Sequence, residues 1–157
     1  MIKVIRTPII MSDYLGIAIH MLHPQFYDDI IPAEADIHLF RAIESLIQAM
    51  HKAESSMILE AFDKIKNSID HLETAIEKGL DSYWTQEVFN VIMFLLRYVV
   101  DEILQETIDT VGEENKFIIW AIEDYDNALQ MIQMERYEDA VKFFKFSYQN
   151  IMKVRGD

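Results

Sequence analysis

From Leu39 to Ile76 apolar residues recur at spacings of four and three, and no Gly or Pro interrupts them. Leu39, Ile43, Leu46, Met50, Ala53 and Met57 form one seam, and Ile58, Phe62, Ile65, Ile69, Leu72 and Ile76 form the next. This spacing belongs to helices buried along one face. Run through as one straight helix, the second seam would sit about 100° around the axis from the first. The pattern therefore predicts a break near Ser55–Ser56, although no breaker residue enforces it. Gly79 then offers a left-handed residue to end the second helix, with Leu80 closing the apolar contact.

The same logic extends outward. Residues 1–10 read as an extended arm, because Ile2, Val4, Ile5, Ile9 and Ile10 are β-branched and Pro8 disfavours a helical Thr7. A short helix is expected over 13–22 with Leu15, Ala18, Ile19 and Leu22 on one face, ended by Pro24, and a loop over 24–31. Pro32 suits the first position of the next helix. Thr85 opens a helix over about 86–111 that is apolar on nearly every side from Val88 to Val100 and closes at Gly112. Helices over about 114–134 and 137–153 follow, with Glu135–Arg136 as a connection short enough to make them antiparallel neighbours. The expected fold is all-α: an antiparallel helical bundle of five to six helices with a short extended N-terminal arm. It forms one domain over 1–157, the arm at 1–10 and the bundle at 12–154. With 4 Gly and 3 Pro in 157 residues, an all-β fold lacks its turns.

Charge and composition narrow the function classes. The net charge is −13, and residues 101–139 alone carry 12 acidic and 2 basic residues. Such a field repels nucleic acid and anionic membranes, so neither is expected as a partner. No apolar run approaches the roughly 20 residues of a spanning helix, and no secretory signal opens the chain, which points to the cytoplasm. The absence of Cys excludes disulfides, thiolate metal sites and Cys nucleophiles.

Residues 64–84, running through Ile65, Ile69, Leu72 and Ile76 to Ser82-Tyr83-Trp84, resemble the opening of a helical-hairpin module of large archaeal and bacterial surface proteins. Residues 128–148, with Ala128, Tyr137, Ala140, Phe144 and Tyr148, are similar to its closing hairpin and to one tetratricopeptide unit. The resemblance covers about 55–154 and implies a scaffold without chemistry of its own. Where that module has Gly-Asp before the aromatic, this chain has Glu135-Arg136. A solenoid needs three or more repeats, and the sequence offers one such unit.

Chemistry-bearing constellations are sparse. His20 and His23 share a helix face at i,i+3. With Asp28, Asp29 and His38 nearby in sequence they make a sensible donor set for zinc, nickel or iron, so His20, His23, Asp28 and His38 are the candidate metal ligands. No Glu lies three before any His, which excludes the di-iron bundle motif. Small helical RNases of the HEPN class resemble the chain in size and architecture, but their Arg-x4-6-His motif is absent. An acidic Asp124-Tyr-Asp126 run lacks the Gly of a calcium loop.

The leading expectation is a non-enzymatic helical protein that acts through protein–protein contact as a homo-oligomer and needs no cofactor. The expected interface is off-seam apolar surface at Phe89, Met93, Phe143 and Phe146. The alternative is a divalent-metal-binding bundle using His20 and His23. A further alternative is an acidic inhibitor that mimics nucleic acid.

Overall fold

The computed structural model describes residues 2–26 and 31–156, and every secondary-structure element among them is helical. The helices are α1 (Ile2–Phe26), α2 (Ala33–Glu54), α3 (Ile58–Glu77), α4 (Ser82–Val111), α5 (Lys116–Gln133) and α6 (Tyr137–Arg155). α1, α2, α3, α6 and α4 contact one another in that cyclic order, so five helices close a ring around a shared core. α5 lies outside the ring against α6 and, more lightly, α4. Leu15, Leu39, Phe62, Ile92, Leu96, Phe144 and Ile151 are buried inside it. None of the described helices is long and apolar enough to cross a membrane.

The break between the two seams falls where the spacing puts it. α2 ends at Glu54, Ser56 takes φ +61°, and α3 starts at Ile58. The Ser56 N–H donates to the Ala53 carbonyl and the Met57 N–H to the Lys52 carbonyl, satisfying the last turn of α2. α3 closes in the same way at Gly79, whose φ is +112°, with the Leu80 N–H on the Ala75 carbonyl at 2.9 Å and Leu80 buried. Gly79 also lies so near the start of α2 that a Cβ there would stand 2.9 Å from Pro32 Cγ.

The N-terminus differs from expectation. Residues 2–10 are helical, not an extended arm, and α1 continues through Pro24 to Phe26. The reason is packing. Thr7, Met11, Leu15, Ala18 and Leu22 are all buried and form one unbroken stripe. Each large apolar side chain removed from water contributes about 1.5–3 kcal/mol, against a few tenths for each β-branched residue in a helix. The prolines fit helical φ and cost N–H donors and some strain, which the burial outweighs. α4 likewise starts earlier than expected, at Ser82. The Asp81 side chain accepts from the Tyr83 N–H at 2.8 Å and caps it, while Thr85, already inside the helix, turns its hydroxyl back onto the Asp81 carbonyl.

The α2–α3 and α5–α6 hairpins are equivalent, each position in the second lying 79 residues after its counterpart in the first. The Ser68 hydroxyl donates to the Ala42 carbonyl at 2.9 Å, and the Ser147 hydroxyl to the Ala121 carbonyl at 2.7 Å. The turn at Ser56 is matched by Glu135 at φ +57°, where the Glu135 N–H donates to the Ile132 carbonyl and the Arg136 N–H to the Met131 carbonyl. Ala42-Ile43-Glu44, Ala49, Ala61, Lys66 and Ser68 recur as Ala121-Ile122-Glu123, Ala128, Ala140, Lys145 and Ser147. Small residues and a hydroxyl at these points let the paired helices approach closely. The sequence reads as holding one tetratricopeptide-like unit, at 128–148; the structure adds this internal likeness between two hairpins. They do not stack as a solenoid, because α3 and α6 both join the same ring.

Candidate binding surfaces

Among the described residues the candidate metal ligands His20, His23 and His38 are not brought together. His20 and His23 are exposed on α1. Asp28 and Asp29 lie outside the described residues. His38 sits on α2, half-buried, and faces His71 of α3. Among the described residues no three His, Asp or Glu side chains are placed to hold a metal ion. The His38 and His71 Nδ1 atoms are 3.2 Å apart, and the rings are tilted by 31° at a centroid distance of 5.4 Å. Burial holds the His71 imidazole below its ordinary pKa. The His38 ring and Arg41 push the same way, while Asp70 opposes them. An open cleft of about 340 Å³ adjoins the pair, lined by Glu34, Ile37, His38, Arg41 and Lys78. The sequence held no signal for this pairing, since the residues are 33 apart and meet only through the register of the hairpin.

The candidate interface residues divide. Phe89 and Met93 are 3% and 4% exposed, so they do not belong to any outer surface. Phe89 stacks on Tyr137 at 4.8 Å, and the Tyr137 hydroxyl accepts from Gln86 Nε2 at 2.7 Å. These two α4 residues are covered because α6 closes over a face that the sequence leaves open. Phe143 is half-buried against the core, and Phe146 remains exposed, edge-on to Phe143 with the Lys142 ammonium over its ring.

The larger outer apolar surface lies elsewhere. Arg6, Thr7 and Ile10 of α1 stand beside Tyr98, Val99 and Glu102 of α4, and Tyr14 meets Phe94 at 5.8 Å. α1 and α4 therefore run antiparallel, and their outer seam carries Ile10, Tyr14, Ile17, Phe94 and Tyr98. Phe94 is 55% exposed and Ile17 49%. Trp84, on the α4 turn nearest the end of α1, is also exposed. A smaller aromatic group opens α5, where Phe117 and Trp120 meet edge-to-face under Lys116 and Lys153 reaches the Phe117 ring.

A third surface is acidic. Glu73 of α3 faces the start of α6 across a cleft of about 290 Å³ that includes Lys66, Arg136, Glu138 and Asp139. The Glu73 Oε1 atom is buried without a hydrogen-bond partner among the described residues. Burial pushes its carboxyl up to about 7, and Glu138, Asp70, Glu77 and Asp139 push the same way. Glu138 is raised as well, by burial and then by Asp70. Comparison of the chain with protein-family models, with curated proteins and with solved structures gives no match.

Proposed function

We propose that this chain is a non-enzymatic helical protein that works through protein–protein contact, and that it pairs with a second copy of itself along the outer α1–α4 seam. The observation that supports this is the continuous row of Ile10, Tyr14, Ile17, Phe94 and Tyr98, with Phe94 and Ile17 about half exposed. A row of aromatic and aliphatic side chains on a soluble surface is typical of interfaces. Two-fold pairing is the commonest way to cover one. The seam also suits self-contact electrostatically. Arg6 and Glu102, one charge of each sign, line it where Ile10 meets Tyr98, in a chain whose net charge is −13. Repulsion between the rest of the two surfaces is screened beyond roughly 8 Å at physiological salt.

Analytical ultracentrifugation at low and high salt tests the reading. The expected result is a dimer that tightens as salt rises and that Phe94→Ser weakens without loss of helical signal. A clean 18.5 kDa monomer at tens of micromolar in both buffers refutes self-pairing.

A further inference from the structure

The two equivalent hairpins differ in what covers their first helix. α1 lies along α2, where the Ser12 hydroxyl donates to Glu54 Oε1 at 2.8 Å. Ile43, Ile47 and Met50 share that face of α2 with Glu54, at helical intervals of four and seven. Ile43 is 6% exposed, and Leu46 beside it is fully buried. α4 precedes α5 as α1 precedes α2, yet it packs on α6 and α1 and touches α5 only lightly. The corresponding face of α5 carries Ile122, Asp126, Leu129 and Gln133. Among the described residues no counterpart of α1 runs along it. Ile122 and Tyr125, at the positions of Ile43 and Leu46, are partly exposed. So is Ile132, where the first hairpin has a fully buried Ala53. Of α5 only Ile118, Ala121 and Ala128 are buried.

The likeness of the hairpins thus identifies what this face lacks: a helix lying where α1 lies on α2. The residues that differ identify its chemistry. Where α2 meets α1 with Ile47, α5 presents the exposed carboxylate of Asp126. A copy of α1, apolar along its stripe, would leave that charge unpaired. Glu123 is exposed one turn earlier, and Asp101 of α4 stands with Asp126 close to the Tyr125 phenol. Arg97 of α4 opposes a cation here, but its guanidinium is engaged by the Tyr125 hydroxyl. Lys116 and Lys153 lie over the Phe117 and Trp120 rings, away from this face. An apolar strip with an acidic rim fits a helix that carries apolar anchors on one face and Lys or Arg beside them. A second copy of this chain, with net charge −13, fits it poorly.

We propose that the face of α5 bearing Ile122, Tyr125 and Leu129 docks a basic amphipathic helix of a partner protein, in the position that α1 takes on α2. This surface is separate from the self-pairing seam of α1 and α4, and the proposal does not depend on that pairing.

The probe is a labelled synthetic helix as long as α5, 18 residues, with Leu at intervals of three and four and Lys elsewhere. Its binding to the full chain is followed by fluorescence anisotropy at physiological salt. Hydrogen exchange then locates it. A peptide with Glu in place of every Lys is the control. The Lys/Leu peptide is expected to bind and to slow amide exchange in α5, and the Glu/Leu peptide is not. Glu123→Lys/Asp126→Lys reverses two exposed charges and should still fold; it is expected to weaken binding about tenfold. Glu44→Lys/Glu77→Lys makes the same change in net charge on the first hairpin and is expected to leave affinity within about twofold. Absence of binding overturns the proposal. So does equal weakening by the two double variants, equal binding of the Glu/Leu peptide, or protection that falls outside α5. Binding that appears only when the protein is diluted assigns the face to a second copy, and also overturns it.

Discussion

Replacing Glu73 by Gln should make the protein more stable, and only above mildly acidic pH. The carboxyl is pushed from its ordinary value near 4.5 up to about 7 by burial and by the neighbouring carboxylates of Glu138, Asp70, Glu77 and Asp139. A raised folded-state value means that folding favours the protonated form. Below about pH 4.5 both folded and unfolded chains carry the proton, and Glu73 costs nothing. Between 4.5 and 7 the unfolded chain releases its proton while the folded one keeps it, so stability falls as pH rises. Above 7 the loss is complete. At 1.36 kcal/mol per unit the shift would be worth about 3 kcal/mol if fully buried. Glu73 is only half-buried, and solvent screening reduces this to about 1–2 kcal/mol. Gln keeps the shape and carries no charge. Glu73→Gln should therefore match wild type at pH 4.5 and exceed its Tm by about 2–8 °C at pH 8. Thermal melts followed by circular dichroism at the two pH values decide it. An equal offset at both pH values, or a variant less stable at pH 8, refutes the account of that cleft.

Four further outcomes follow from the backbone and core. Ser56→Gly and Glu135→Gly should each stabilise by about 0.5–1 kcal/mol in denaturant titrations, because both residues hold φ near +60° without needing a side chain there. Gly79→Ala should destabilise by about 1–3 kcal/mol in the same assay, since φ +112° disfavours any Cβ and this one would meet Pro32. Leu95→Asp should leave no helical circular dichroism signal at 25 °C, because Leu95 is fully buried and an unpaired charge there costs several kcal/mol. Val91→Asp, at a half-buried position of the same helix, should still fold.

The helices and their order are legible in the sequence because seam spacing is a local signal. The turn at Ser55–Ser56 is the clearest case, since seam rotation alone locates it without Gly or Pro. The N-terminal helix is hidden because β-branched residues and Pro8 speak for an extended chain, and the stripe that overrides them includes a polar Thr7. The repeat is hidden because the matching residues are few and mostly small. Their meaning lies in how closely two helices approach, which periodicity does not report. The candidate site fares worse. Phe89 and Met93 look spare until α6 covers them, and His38 and His71 are unrelated until the α2–α3 register sets them face to face. Sites assembled across helices depend on register, and seam spacing fixes which face is buried, not the neighbour it meets.

The ring of five helices also sets an order of events during synthesis. The α2–α3 hairpin is local in sequence and can form as soon as its own residues are made. The ring closes only when α4 has reached α1 and α6 has reached α3. Between completion of α3 and completion of α6 a ribosome needs roughly 4–16 s at about 5–20 residues per second. For that interval the inner stripes of α1 and α3, including Leu15, Leu22, Phe62 and Ile69, lack their final partners. Until the last helix arrives, the nascent chain presents apolar surface of the kind that chaperones bind.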